Sequence, residues 1–129
     1  MTLAGRNVLL VGQNFQSGQT LAVRLHRWKF RCHFAATGRA ASEFLAAHLV
    51  DLVLSNTNLA DGTGYRLLTN LVRPPVSAFL CLPVENGCLW LPAIDGGKCC
   101  LGLPALRPLE FAMELREMSL RLPTYIQAS

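Results

Sequence analysis

The chain has 129 residues, the size of one domain, and its apolar fraction of 51% is sufficient for a hydrophobic core. Its formal charge of +4 comes from scattered basic residues, which argues against a nucleic-acid-binding patch. Arg, Pro and Gly interrupt every apolar run before membrane-spanning length, and the first residues lack the basic start of a signal peptide. We therefore expect one cytoplasmic domain over residues 1–129, with a core over about 7–122, that binds neither nucleic acid nor membrane.

The first half of the chain alternates strand patterns with helical ones. Residues 7–11 and 52–54 are short apolar runs, typical of strands buried on both faces, and residues 30–35 alternate as an edge strand does. Helical periodicity begins near Ser17, spans 37–47, and begins again at Tyr65 before ending ahead of Pro74. The apolar stripes predicted for these three helices are Leu21, Leu25 and Trp28; Ala40, Phe44 and Ala47; and Tyr65, Leu68 and Val72.

The second half keeps this alternation except over residues 83–95. Residues 76–82 and 98–101 read as a fourth and a fifth strand, and Pro108 begins a last helix that ends before Pro123. Between them, Gly87 and Pro92 disfavour a regular helix, and the dipeptide at 86–87 is a strong hairpin signal. The sequence predicts an α/β fold: a doubly wound, five-stranded parallel sheet of order 2-1-3-4-5, flavodoxin-like, with its fourth helix replaced by a hairpin or irregular segment.

Cysteine and histidine patterns predict no metal and no cofactor. The five cysteines are odd in number and contain no CxxC spacing, so we expect free, reduced thiols in apolar settings. The three histidines show no metal-ligand spacing with one another or with cysteine.

The stretch 51–65, DLVLSNTNLADGTGY, combines a buried strand, a polar tip, a glycine turn and a helix start. With NVLLVGQN, FLCL and GGKCCLGLP in the same order along the chain, it resembles the receiver domain of bacterial response regulators, which serve two-component signal transduction and phosphorelays. The resemblance covers nearly the whole chain. Carried over onto this sequence, the receiver's two metal-binding acids, phosphoacceptor aspartate, Thr/Ser and lysine fall on Gly12 and Gln13, Asn56, Cys81 and Leu103 respectively.

Every chemical position of the receiver pattern is therefore replaced. No carboxylate remains for Mg²⁺, and the Asn56 amide cannot form an acyl phosphate. We expect a pseudo-receiver: a regulatory, protein-interaction domain that is neither an enzyme nor phosphorylated. The alternative is a small-ligand or redox sensor, in which an amide-rich pocket or the cysteines form the site. That pocket would comprise Gln13, Asn14, Asn56 and Asn58, and the cysteines would be Cys81, Cys99 and Cys100.

A second feature concerns partners. The charged fraction is only 16%, so we expect a protein partner or a second copy of the chain to cover some apolar surface. On the last helix, three apolar residues lie roughly opposite the stripe of Phe111 and Leu115. Together with apolar residues of the hairpin they form the predicted contact surface: Leu89, Trp90, Leu109, Met113 and Leu120.

Overall fold

The computed structural model describes residues 7–12, 19–85, 87–100 and 102–121. Its elements in chain order are β1 (Asn7–Val11), α1 (Gln19–Arg27), β2 (Arg31–Ala35), α2 (Gly38–Ala47), β3 (Leu52–Asn56), β4 (Asn58–Leu59), β5 (Gly62–Thr63), α3 (Gly64–Thr69), β6 (Ser77–Val84), β7 (Gly87–Asp95), β8 (Lys98–Cys99) and α4 (Pro108–Arg121). None of these four helices combines the length and apolar character needed to cross a membrane.

The most completely buried strands of the main sheet are β1 and β3, which lie side by side inside it. They pair in parallel with each other, while β1 also pairs with β2 and β3 with β6. All five residues of β3 are buried, as expected for a strand that carries helices on both faces. The α/β class with a mostly parallel central sheet is thus confirmed.

The far side of the sheet corrects the expected strand order. The main sheet has six strands in the order β2-β1-β3-β6-β7-β8, and β7 is antiparallel to both β6 and β8. Because two reversals restore the direction, β8 runs with the parallel strands, but β7 separates it from β6. The expected five-stranded, all-parallel order 2-1-3-4-5 therefore does not hold. A parallel neighbour requires a long crossover, whereas a short turn returns the chain antiparallel.

This inserted strand confirms that the described residues of 83–95, which omit only residue 86, form no helix. The hairpin closes with Val84 opposite Gly87, whose φ of 153° is a backbone conformation that favours glycine. Asn86, the other half of the predicted turn, lies outside the described residues. The hairpin is a full part of the main sheet and not a local excursion at its edge, because β6 and β7 pair along nearly their whole lengths.

Two hydrophobic clusters fill the two faces of the sheet. Helices α1 and α4 cover one face, where the Phe111 ring stacks on Trp90 with centroids 4.0 Å apart. Helices α2 and α3 cover the other face through Ala41, Leu45, Leu67 and Leu68. The site at the strand ends is therefore held by a sheet that is packed from both sides.

Helices α2 and α3 differ from their expected faces and lengths. Helix α2 buries Ala41 and Leu45, while Ala40 and Phe44 of the expected stripe are partly buried against the same cluster and Ala47 is exposed. Helix α3 has only six residues, so Val72 lies beyond it with 97% of its surface exposed. Each helix begins at a threonine whose hydroxyl accepts a backbone N–H three residues later, and these two caps are Thr37 and Thr63.

Candidate functional site

Three parallel strands bring the central site positions together at the carboxyl edge of the sheet. Val11, the last residue of β1, lies opposite Ser55, and Asn56, the last residue of β3, lies opposite Cys81 in β6. Gly12 follows β1 directly and donates its backbone N–H to the Ala35 carbonyl of β2 at 2.8 Å. This edge is where open α/β sheets place their ligand and catalytic sites.

The Asn56 side chain is packed against Gly12. A Cβ atom built on Gly12 would lie 2.2 Å from Nδ2 of Asn56 and 2.8 Å from its Cγ, distances at which real atoms cannot remain. Gly12 also has a φ of 123°, a conformation that L side chains rarely adopt. Asn56 is only 7% exposed. The amide therefore occupies the space beside β1, and any side chain at position 12 would compete with it.

Cys81 supplies a neutral thiol on the other side of Asn56. Its carbonyl accepts the backbone N–H of Thr57 at 3.0 Å, which holds the end of β3 against β6. Burial, together with the neighbouring thiol of Cys88, raises the pKa of Cys81 to about 12. A thiol with this pKa is protonated at neutral pH, so it is a poor thiolate nucleophile.

The proximity of the Cys81 and Cys88 thiols was not predicted, although the hairpin signal at 86–87 is present in the sequence. The register of β6 and β7 sets Pro83 opposite Cys88 and Cys81 opposite Trp90, so the two cysteines are diagonal neighbours. The five cysteines all lie within the described residues, and none of them is in a disulfide. Within the described residues, no group of three metal-binding side chains comes together.

The loop after β3 is fastened to helix α2 by Asp61. Its carboxylate accepts the backbone N–H groups of Gly38 and Arg39 at 2.8 and 2.9 Å, so it caps the start of the helix from a distant part of the chain. These two hydrogen bonds hold the pKa of Asp61 below its usual value. Asp61, the acidic residue of this loop, is therefore bound to the start of α2. The polar side chain at the end of β3 is Asn56.

Gly64 closes the loop on the site side. It donates its N–H to the Thr57 carbonyl at 2.9 Å, and a Cβ on it would lie 2.3 Å from the Asn56 carbonyl oxygen. Ser55 beneath it is fully buried. The Thr57 hydroxyl oxygen is also buried and has no hydrogen-bond partner in the part of the chain that the structure describes. The second glycine of the turn thus allows the first turn of α3 to lie directly on the strand end.

The remaining predicted positions are more scattered. Leu103 lies in the loop before α4 with 52% of its surface exposed, after Gly102 at a φ of 103°. Gln13 and Asn14 fall outside the described residues, and Asn58 lies in β4 with an exposed side chain. The structure therefore brings Gly12, Asn56 and Cys81 together.

The expected contact surface is divided by the sheet. Trp90 is 5% exposed and packs on Phe111, so it belongs to the core and not to a surface. Leu89 precedes it in β7 and points to the opposite face, because side chains alternate along a strand. Leu109, Met113 and Leu120 remain exposed on α4. The correction follows from the hairpin joining the main sheet, which buries one face of β7 beneath α4.

A shallow apolar recess lies on the other face of the hairpin. Its volume is about 190 Å³, including space open to solvent. It lies between α3 and β7 where the hairpin takes the place of a helix, and its only titratable side chains are Tyr65 and the Cys99 thiol. The residues that line it are Tyr65, Leu68, Thr69, Leu80, Ala93, Ile94 and Cys99.

No protein-family model matches the chain, and no curated protein matches it. Among solved structures, the non-phosphorylated HemR receiver domain from Leptospira biflexa is similar at 33% identity and a TM-score of 0.44, over 50% of this chain and 52% of that one. The signal receiver domain of an HD domain-containing protein from Pseudomonas fluorescens Pf-5 is similar at 31% identity and a TM-score of 0.46, over 53% and 50%. The chain thus spans about half the length of each receiver domain that it matches.

Proposed function

We propose that this chain is a receiver-like regulatory domain of signal transduction that takes no phosphoryl group and acts through contacts with protein. The observation that carries the proposal is the packing of Asn56 against Gly12 at the carboxyl end of β3. This is the position at which the receiver-like motif of residues 51–65 would hold its phosphoacceptor. We also propose that the chain has no enzymatic activity.

The chemistry of the three converged residues supports this proposal. An amide nitrogen on Asn56 leaves no carboxylate to attack a phosphoryl donor, and the adjacent Cys81 thiol stays protonated. Mg²⁺ requires hard oxygen ligands, usually with at least one carboxylate, in octahedral geometry. Gly12 offers no side chain, and its φ of 123° together with the Asn56 amide prevents an acid from being accommodated there without rearrangement.

The hairpin gives a second line of support. In receivers the fourth helix belongs to the switching face, as the resemblance implies, but here β7 occupies that part of the chain as a strand of the main sheet. A strand bonded to β6 along its length, with Trp90 buried under α4, has little freedom to shift as a surface helix can. A constitutive contact surface agrees better with this architecture than a phosphorylation-driven switch.

A ligand or redox sensor receives less support from the same geometry. The Asn56 amide occupies the space that a side chain on Gly12 would need. Cys81 is half-buried and its pKa of about 12 suppresses the thiolate that oxidation requires.

The test is incubation with acetyl phosphate and Mg²⁺, followed by intact-mass measurement at neutral pH, with a phosphorylatable receiver domain in parallel. The wild-type chain is expected to gain no phosphate while the control receiver does. The matched variant is Asn56→Asp, which has nearly the same shape and restores the carboxylate. We expect it to remain unmodified as well, because position 12 still lacks a ligand.

Two results would contradict the proposal. An added phosphate on the wild-type chain that is lost with hydroxylamine would identify an acyl phosphate at another carboxylate. Efficient, Mg²⁺-dependent phosphorylation of Asn56→Asp would show that the rest of the pocket still binds Mg²⁺. Gly12 would then not prevent metal binding, contrary to the proposal.

A further inference from the structure

Four of the chain's twelve Lys and Arg residues lie where α1 ends and β2 begins. Every exposed residue from 24 to 31 is Arg, Lys or His, whereas Leu25 and Phe30 are buried and Trp28 packs partly against the same core cluster. Folding therefore places the apolar residues of this stretch inside and leaves a surface of basic side chains. We call the exposed residues the α1–β2 basic patch, and they are Arg24, His26, Arg27, Lys29 and Arg31.

The α1–β2 basic patch has no acidic counterpart nearby in the sequence. No aspartate or glutamate precedes Glu43, which pairs with Arg39 at 4.0 Å on α2. None of the patch residues forms an ion pair with a carboxylate of the described residues. At the same end of the sheet, Asp51 accepts a backbone N–H of β1 at 2.9 Å. Arg24 and Arg27 are neighbours on the helix surface and repel each other, so an anion from outside the chain would offset this cost.

Lys29 occupies a backbone position that favours glycine. Its φ is 69°, the single positive φ of a non-glycine residue in the described part of the chain. Its N–H donates to the His26 carbonyl at 3.0 Å, and the Phe30 N–H donates to the Leu25 carbonyl at 2.9 Å. Helices that end in this way commonly carry glycine at this position. The helix dipole favours cations in the last turn of α1, but Arg31 lies beyond the helix. The positive surface therefore extends further than the stability of the helix requires.

We propose that the α1–β2 basic patch binds a carboxylate-rich segment of a partner protein. Three of its five residues are arginine, whose planar guanidinium binds a carboxylate through two parallel hydrogen bonds. A helix C-terminus presents carbonyl groups and no free N–H donors, so the patch lacks the backbone cradle that holds a single phosphate at a helix N-terminus. Several carboxylates, each reaching a separate side chain, fit this arrangement better.

Nucleic acid and membrane match the patch less well. The aromatic residues of this stretch, Trp28 and Phe30, pack wholly or partly in the core, so no ring is presented for stacking on bases. The exposed residues contain no apolar side chain that could enter a bilayer. The choice of a protein as the partner rests on the proposed function. The patch itself lies at the amino end of β2, at the opposite end of the sheet from Asn56, so its binding and the phosphorylation test are independent.

The test measures the fluorescence anisotropy of a labelled peptide that alternates glutamate and serine, titrated with the full chain. The wild-type chain is expected to bind it, and the same peptide with glutamine in place of glutamate should not bind. Added salt should weaken the interaction, because exposed charges are screened. A wild-type chain that fails to bind the glutamate peptide at low salt overturns the proposal, whatever the acetyl phosphate experiment shows.

Paired substitutions locate the contact. Arg24→Gln with Arg27→Gln should weaken peptide binding about threefold to tenfold, as for the loss of two exposed charge pairs. Arg66→Gln with Arg116→Gln is the matched control, since it removes the same charge from exposed residues of α3 and α4 and should leave the affinity unchanged. Equal losses in the two double variants would show that net charge alone attracts the peptide, which overturns the proposal.

Lys29→Gly separates binding from stability. Glycine suits the positive φ, so the midpoint of urea unfolding should stay the same or rise, whereas peptide binding should weaken. A lysine that only ends the helix would leave peptide binding unchanged, and that result would overturn its place in the patch.

Other occupants are tested with a single-stranded oligonucleotide, with vesicles that contain phosphatidylserine, and with light scattering for self-association. The glutamate peptide is expected to bind more tightly than either probe. Tighter binding of the oligonucleotide or the vesicles through Arg24 and Arg27 would overturn the proposal. A dimer of the wild-type chain that is lost when both arginines are replaced would overturn it as well, because a second copy would then cover the patch.

Discussion

The contact between Gly12 and Asn56 predicts that Gly12→Ala strongly destabilises the fold. Two effects contribute. At a φ of 123°, a non-glycine residue costs about 1–3 kcal/mol of backbone strain. The new Cβ would also lie 2.2 Å from Nδ2 of Asn56, and such overpacking costs typically about 1–3 kcal/mol. The free energy of unfolding should therefore fall by about 2–6 kcal/mol, a large part of the ~5–15 kcal/mol typical of a domain.

A matched variant separates the two effects. Gly62 has a φ of 150°, but a Cβ there would meet no atom within 4 Å, so Gly62→Ala measures backbone strain alone. Adding Asn56→Ala to Gly12→Ala removes the clashing Nδ2 and Cγ and leaves only the Cβ at 3.2 Å. In that background Gly12→Ala should cost about 1–3 kcal/mol less than in the wild type.

The assay is urea unfolding followed by tryptophan fluorescence, since Trp90 is buried and stacked on Phe111 in the native state. The four variants and the wild type form a double-mutant cycle with one external control. If Gly12→Ala costs no more than Gly62→Ala, or if Asn56→Ala leaves its cost unchanged, the amide does not fill the space beside β1. The account of the site would then be wrong.

Three further predictions concern the loop and the thiols around the site. Gly64→Ala should destabilise the fold by about 1–3 kcal/mol in urea unfolding, because its Cβ would lie 2.3 Å from the Asn56 carbonyl oxygen; an unchanged midpoint would refute this packing. Asp61 has a lowered pKa, so its contribution to stability is present above its ordinary pKa of 3.8 and is lost as pH falls through the folded pKa. The melting temperature of Asp61→Asn should therefore depend less on pH in that acidic range than that of the wild type, and parallel curves would contradict this. Finally, iodoacetamide at pH 8 should alkylate exposed Cys99 well before Cys81, whose pKa is about 12, and peptide mapping that finds the reverse order would refute the assigned burial.

Much of the local structure was readable from short stretches of sequence. The apolar runs of β1 and β3 predicted two buried strands, and the proline and glycine pattern after residue 82 predicted that residues 83–95 form no helix. Both predictions are confirmed in the part of the chain that the structure describes. Local patterns succeed here because strand pairing in a buried sheet needs consecutive apolar residues, and Gly87 permits a φ of 153° at the turn.

Helix faces were predicted less well. The sequence of α2 contains enough alanine that several stripes are nearly equivalent, and the structure buries Ala41 and Leu45 fully, Ala40 partly, and leaves Ala47 exposed. The choice depends on how the helix packs against β1 and α3, which are contacts between residues far apart in the chain. A period of 3.6 residues fixes which residues share a face, but it does not select among faces of similar apolarity.

The sequence by itself determined that the acidic positions of the receiver-like pattern are replaced at Gly12, Gln13 and Asn56, and that α4 is amphipathic with apolar residues on its outer side. Only the tertiary structure decided that the Asn56 amide packs against Gly12, that β7 enters the main sheet, and that Trp90 is core. The physical reason is the range of the interactions. Side-chain chemistry and backbone preference are properties of single residues and their neighbours, whereas close packing is settled by segments that meet only when the sheet assembles.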